Sequence, residues 1–240
     1  MHALKLALRT LLRDRMFTVV NVIGLSLGIM SYAFIFIYTY HNLTYDTYHT
    51  DIENIYRVNT TWLCADNSKS MAITAPLLAT TLISDYSFTK GAATISAQNE
   101  QLTISAGSHE FVARNFRLST PGILDVFTFE FLAGTPETAL LSEKQIIINK
   151  SWAEKLYHTT NCLDKTLTIN GEQFVVKGVY KDWPQNIDLP IEGVISASFP
   201  QNWDMFGFIT YVNVESGSGP LLTRALTELS EVQYTKNEIK

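Results

Sequence analysis

From Met16 to Tyr40 the chain runs 25 residues without a charged side chain. A run that long and that apolar fits a bilayer-spanning helix better than a buried core helix. Phe17–Tyr40 would cover about 36 Å as α-helix, enough to cross roughly 30 Å of hydrocarbon with some tilt. Twelve of its residues are Leu, Ile, Val or Phe. At about −0.3 to −0.6 kcal/mol each, they contribute roughly −4 to −7 kcal/mol towards insertion. Asn21 and the Ser/Thr hydroxyls reduce this without reversing it. Tyr38, Tyr40 and Tyr45 fit the far interface, where an amphipathic ring is favoured. A cleavable signal peptide is the competing reading, with Ser31-Tyr32-Ala33 as a loose cleavage site. Signal h-regions run to about 7–15 residues. Here the chain stays apolar through Phe34-Ile35-Phe36-Ile37-Tyr38, so the run reads as an uncleaved anchor.

The flanking charges orient it. Residues 1–15 carry Lys5, Arg9, Arg13 and Arg15 against Asp14, a net +3, while the remaining residues carry a net −8. Positive flanks stay in the cytoplasm, which puts the N-terminus inside and the body outside. Leu4, Leu8, Leu11 and Leu12 fall at helical spacing opposite Lys5, Arg9 and Arg13, as in a short helix lying on the cytoplasmic membrane face. Within the span, Gly24 and Gly28 lie four apart and Ser31 continues their face. Small residues at that spacing let another helix approach, so these three are the expected helix-packing face.

The acidic body lacks the cationic footprint that a phosphate backbone needs, which argues against nucleic acid as a partner. Its two cysteines, Cys64 and Cys162, are too far apart for a CxxC pattern. Whether they pair is left open by the sequence.

Short elements are expected along the body. Ile55–Leu63 reads as a strand, Leu77–Ile83 as a helix opened by Pro76, and Ala92–Ala97 as a second strand. Gln101–Ser105 and Glu110–Leu118 read as a hairpin around Gly107-Ser108, and Pro121–Phe127 as a short helix. Gln145–Asn149 reads as a strand. A helix follows over Trp152–His158, capped by Ser151 with Glu154 three residues on. Asn170-Gly171 signals a type I′ hairpin between Thr166–Asn170 and Gln173–Tyr180. Ile191–Phe199, Phe208–Glu215 and a helix over Leu221–Val232 complete the chain. The sum is an α+β fold: one N-terminal transmembrane helix, then a two-lobed extracytoplasmic domain with mixed sheets and short helices. The expected division is a cytoplasmic amphipathic segment at 1–15, the membrane helix at 16–41 and the exported domain at 42–240, with an inserted lobe at about 116–183.

Motifs for chemistry are sparse. There is no P-loop, GxSxG, HExxH or dinucleotide fingerprint. None of the histidines, His2, His41, His49, His109 and His158, has a second histidine three to five residues away to make a local clamp. Asp46 lies between His41 and His49, where interfacial hydrogen bonding is favoured over a metal. Ser151, His158 and Asp164 supply the residue types of a nucleophilic triad, but Ser151 already has a capping role. Asp182 and Asp188 flank the Trp183-Pro184 turn as a carboxylate pair, and Trp183, Trp203 and Phe206 read either as a contact surface or as core. No enzyme activity, cofactor or metal is expected.

Several stretches resemble MacB/FtsX-type ABC transporter permeases. Ala7-Leu8-Arg9-Thr10-Leu11-Leu12-Arg13-Asp14-Arg15 and Val20-Asn21-Val22-Ile23-Gly24-Leu25-Ser26-Leu27-Gly28 look like their first segment. Tyr45-Asp46-Thr47-Tyr48-His49, then Ile55-Tyr56-Arg57-Val58, resembles the post-membrane signature of the Bacteroidetes-type branch. So do Phe129-Glu130-Phe131-Leu132-Ala133-Gly134-Thr135-Pro136, Leu163-Asp164-Lys165-Thr166-Leu167-Thr168-Ile169-Asn170-Gly171 and the run from Val176 to Asn186. The resemblance implies a MacB-like periplasmic core domain, with one lobe built from the first and last segments and another inserted between them. It also implies an inner-membrane protein that dimerises or pairs with further permease helices, recruits a separate ATP-binding subunit, and couples that subunit's cycle to export or extracytoplasmic work. Family members carry further membrane helices after this domain. The chain therefore reads as a truncated or split piece. The alternative is a single-pass, membrane-anchored ligand-binding or sensor domain.

Overall fold

The computed structural model describes residues 13, 15–43, 48–62, 69–98, 101–107, 109–184 and 186–234. It divides into two compact units, Met1–Tyr45 and Asp46–Lys240. In the first, α1 (Arg15–Leu43) is a single helix long and apolar enough to cross a membrane. Tyr32, Phe36 and Tyr40 repeat at i, i+4 along it, and their rings stack at 6.2 and 6.4 Å between centroids. The amphipathic segment expected at 1–15 lies almost wholly outside the described residues.

The second unit begins with a 3-10 turn at Ile52–Asn54 and then strand β1 (Ile55–Arg57). A hairpin of β2 (Thr60–Trp62) and β3 (Lys69–Met71) leads to α2 (Leu77–Asp85) and β4 (Thr89–Ser96). Next come β5 (Leu102–Ala106), β6 (His109–Ala113), β7 (Phe116–Ser119), α3 (Ile123–Val126) and β8 (Phe131–Ala133). They are followed by β9 (Gln145–Asn149), α4 (Lys150–Tyr157), β10 (Thr166–Ile169) and β11 (Glu172–Tyr180). The chain closes with β12 (Gly193–Ser196), β13 (Phe208–Val214) and α5 (Gly219–Tyr234). The fold is α+β, as expected.

One mixed sheet carries the unit, in the order β1-β13-β4-β7-β12-β9-β11-β10-β5-β6, with β8 beside β11. Two pairs are parallel, β9 with β11 and β7 with β12. At one end, β1 and β4 from the start of the domain flank β13 from its end. Strand β9 shows why the sheet has core on both sides. Its Ile146, Ile147 and Ile148 are all fully buried. Ile146 and Ile148 enter one cluster with Phe116, Trp152 and Val179, while Ile147 enters the other with Ile95, Tyr180 and Tyr211. Each such burial is worth about 1.5–3 kcal/mol, which drives a continuous β-branched run into a central strand. A third cluster packs α2 and α5 on β4 and β13 through Leu78, Leu82, Val212 and Leu222.

Several expected elements fall where the sequence places them. Pro76 opens α2, and Asn170 and Gly171 take φ of 49° and 90°, the left-handed pair of a type I′ turn. Two expectations are corrected. The run Glu110–Leu118 is not one strand, because Ala113 and Phe116 both enter the Trp152 cluster. Residues three apart on an unbroken strand would face opposite ways, and the bend at Arg114–Asn115 resets the phase. The run from Ile55 is likewise divided: β1 ends at Arg57, and Val58 buries itself and donates its N–H to Thr210 O at 3.0 Å. Its last expected residue, Leu63, lies outside the described residues, as does Cys64; Cys162 is buried.

Candidate functional site

The first described residues of the second unit, Tyr48 to Thr50, are held by a dense polar and aromatic clasp. Its hub is Thr128, in the short stretch between α3 and β8. The Thr128 N–H donates to His49 Nδ1 at 3.3 Å, and its hydroxyl oxygen accepts the Thr50 N–H at 2.8 Å. The Thr50 and Thr128 hydroxyls also share a hydrogen bond at 2.8 Å. The Thr128 carbonyl accepts Trp183 Nε1–H at 3.1 Å. Two residues on, Glu130 accepts the Tyr48 hydroxyl at 3.3 Å and the Lys181 ammonium at 3.0 Å. Three consecutive residues, Tyr48 to Thr50, are thus tied to two later segments.

Rings fill the space between these bonds. The His49 ring lies 4.6 Å from Trp183, 5.0 Å from Phe127 and 5.5 Å from Tyr48. Phe129 and Tyr180 extend the cluster around Trp183, at 4.9 and 6.2 Å from its ring. His49 is only 5% exposed. Because Nδ1 accepts, the ring proton belongs on Nε2, and that buried atom has no hydrogen-bond partner. Burial favours the uncharged ring and pushes its pKa down to about 4. Burial, with the Glu130 charge and hydrogen bond adding to it, raises the Tyr48 phenol to about 12. Glu130 is held below the usual carboxyl range, first by its hydrogen bond from Lys181.

Immediately beyond Trp183 lies a cleft of about 720 Å³. It sits where the parallel strands β9 and β11 end. Asn149, at the end of β9, accepts the Trp152 N–H at 2.9 Å and so caps α4. This corrects the expected Ser151 cap: Asn149 has the extended backbone of a cap, and Ser151 already lies inside the first turn. Ser151 instead donates its hydroxyl to Asp182 Oδ2 at 2.9 Å and its N–H to Asp182 Oδ1 at 3.1 Å. Glu192 accepts Trp152 Nε1–H at 2.8 Å and Asn115 Nδ2–H at 3.2 Å. Arg114 and Lys155 also line the cleft. Lys155 stands over the Trp152 and Phe111 rings at 4.3 and 4.5 Å.

The other candidate residues are scattered. His158 closes the C-terminal end of α4, about 10 Å along the axis from Ser151 by helix rise. Asp164 pairs with Lys177 at 2.6 Å. The three triad-type residues are therefore not brought together. Asp182 is held by Ser151, whereas Asp188 lies 3.9 Å from Arg57, so the expected carboxylate pair is divided between two interactions. Trp183 belongs to the clasp, Trp203 packs on the α2–α5 cluster, and Phe206 meets the edge of Trp62 at 4.8 Å. Asp46 lies outside the described residues. Among the described residues no group of three or more His, Cys, Asp or Glu is placed to hold a metal ion. On α1, a Cβ added at Gly24 or Gly28 would meet nothing within 4 Å, and Ser31 is exposed. Sequence reasoning missed the role of Thr128. A threonine between two phenylalanines carries no signal of its own.

Residues 18–228 match the family model of the MacB-like periplasmic core domain. The chain belongs to this family. The match starts inside α1 and ends inside α5, so it takes in the apolar helix together with the domain. Among solved structures, a domain named as that of a permease protein from Porphyromonas gingivalis aligns at 20% identity and a TM-score of 0.65. The alignment covers 77% of this chain and 86% of that one, and it shows a shared fold. The periplasmic region of MacB from Actinobacillus actinomycetemcomitans aligns at 17% identity and a TM-score of 0.49, over 66% of this chain and 74% of that one. The extracellular domain of the ABC-type transporter YknZ from Gram-positive bacteria aligns at 19% identity and a TM-score of 0.44, over 62% and 78%. No curated protein matches the chain.

Proposed function

We propose that this MacB-like chain is the membrane-anchored, non-catalytic periplasmic part of an ABC transporter permease. In this reading it couples the cycle of a separate ATP-binding subunit to export or extracytoplasmic work. The observation that carries the reading is the family match, which runs unbroken from the apolar helix through the domain. The clasp supports it: His49 follows the last residue of α1, Leu43, by six positions and is locked into the domain by Thr128 and Trp183.

The N-terminus is cytoplasmic and the body periplasmic, at the inner membrane, with 1–15 on the inner face, 16–41 spanning and 42–240 outside. Sheet order supports an insertion, since β4 and β13 are adjacent while everything from β5 to β12 lies between them in sequence. Residues 116–183 form the bulk of that inserted lobe. Gly24, Gly28 and Ser31 form the face on which a second copy or further permease helices pack.

The test is the complete transporter carrying His49→Ala. ATP hydrolysis and complex abundance are expected to persist while transport falls. Transport at the wild-type rate, or a chain that recruits no ATP-binding subunit, would overturn the reading. The cleft of about 720 Å³ favours a second reading, a membrane-anchored ligand-binding or sensor domain. Strong thermal stabilisation by one small ligand, with no ATP-binding subunit recruited, would select it.

A further inference from the structure

At one end of the sheet, β6 pairs with β5 and with no other strand among the described residues. The phase of that pairing is fixed from the other side of β5. Thr103 spends both its backbone groups away from β6: its carbonyl accepts the Asn170 N–H and its N–H donates to Asn170 Oδ1, each at 2.9 Å. Thr103 stands opposite Val112. That pair is therefore the non-hydrogen-bonded kind, and the N–H and C=O of Val112 point outward from the sheet edge. Glu110, two residues earlier, has the same phase. No proline or lysine interrupts His109–Ala113, and its ladder with β5 runs without a register shift, so the usual protections of an edge strand are thin.

The side chains along this edge are self-complementary. Glu110 and Val112 lie in β6 and Arg114 directly follows its last residue, at i, i+2 and i+4; all three are exposed, and Val112 is 60% exposed. Arg114 faces the neutral amide oxygen of Gln101 at 3.3 Å once that amide is oriented to satisfy both of its atoms. An antiparallel pairing about a two-fold axis at Val112 sets Val112 against the partner's Val112. It also sets Glu110 against the partner's Arg114, and Arg114 against the partner's Glu110. Registers centred on Glu110 or Arg114 instead oppose like charges, which is unfavourable across a strand pair. We propose that the outer edge of β6 is a strand-pairing surface for β6 of a second copy of this chain, in the register centred on Val112.

The proposal rests on the reading that the chain associates in a membrane. A five-residue strand pair is small, and two copies anchored in one bilayer meet at a raised effective concentration. The test uses the full chain in lipid bilayers, with Val112→Cys and brief oxidation. Hydrogen-bonded antiparallel partners have Cα atoms about 5.5 Å apart, within disulfide reach. A disulfide-linked dimer above the background of the unaltered chain is expected. Adding Glu110→Arg should remove it, and adding Arg114→Glu to that variant should restore it. All three positions are exposed, so the substitutions should leave the fold intact; Val112 and Arg114 are also among the residues lining the cleft, and the readout is therefore the cross-link and not ligand binding. Chains that associate through their helices yet give no link at position 112 would overturn this pairing while leaving the proposed function standing. A link at 112 to a different polypeptide would overturn it too, and so would a cross-link indifferent to the charge swaps.

Discussion

The clasp around His49 and the cleft beside Glu192 meet at Asp182 and Trp183, yet they are built on different physics. In the clasp, one buried imidazole sits among rings, and its Nε2–H has no partner. In the cleft, each carboxylate accepts two hydrogen bonds, and two cations share the walls. A buried donor left without an acceptor costs about 1–3 kcal/mol. The clasp tolerates that cost because ring packing and the bonds to Thr128 surround it. The difference teaches a division of labour. A buried, ring-packed joint holds a chain segment in place, whereas an open cleft lined by hydrogen-bonded carboxylates and two cations has room for a ligand.

The largest effect that tests this contrast should come from Trp183. Truncation to Ala removes the ring on which Tyr48, His49, Phe127, Phe129 and Tyr180 converge, together with the bond to Thr128. A loss of about 3 kcal/mol is expected, near the low end for large aromatic truncations because the ring is only half-buried. Urea unfolding measures it. On the cleft side, Asn115→Ala removes one bond to Glu192 and should cost about 1 kcal/mol. Equal losses from the two variants would break the distinction.

Acid gives the next effect. The His49 pKa of about 4 in the folded protein lies below the 6.5 of an unfolded histidine. The unfolded chain therefore takes up the proton first as pH falls. The stabilising contribution is complete above pH 6.5 and is lost between 6.5 and 4, reaching at most about 3 kcal/mol. Melting temperature should fall through that window in the wild type, with a shallower fall in His49→Phe. Parallel curves for the two proteins would remove His49 as the origin.

Much of the scaffold was legible. Asn170-Gly171 announced its hairpin because few residue pairs accept two consecutive left-handed conformations. The apolar run announced α1 because no local alternative hides that much hydrocarbon. The strand break after Ala113 was not legible, since Glu110–Leu118 has an acceptable strand composition throughout. Only the shared cluster of Ala113 and Phe116 forces the bend. Ser151 misled for a related reason. Its capping pattern was locally sound, but Asn149 had the same capacity two residues earlier and sits where β9 ends. The clasp was hidden because its parts, His49, Thr128 and Trp183, are joined only by the tertiary fold. Tyr48 and His49 stood inside a stretch that resembled the family, which marked the place without giving the chemistry.

The smallest effects should lie at the two polar contacts that border Trp183. Ser151→Ala removes the hydroxyl bond to Asp182 but leaves the backbone bond, so a loss of about 0.5–1 kcal/mol is expected. Lys181→Met breaks an ion pair whose side chains are 57% and 50% exposed, and water and salt screen such pairs almost completely. Its unfolding curve should overlay that of the wild type. The change should appear instead in the titration of Glu130, followed by NMR. Lys181 is the first cause of its lowered pKa, so that carboxyl should move back up towards the ordinary range. The Tyr48 hydroxyl bond to Glu130 then becomes the only bond to that carboxylate in the clasp. A stability loss from Lys181→Met matching that of Trp183→Ala would mean that charge, rather than packed rings, holds the joint.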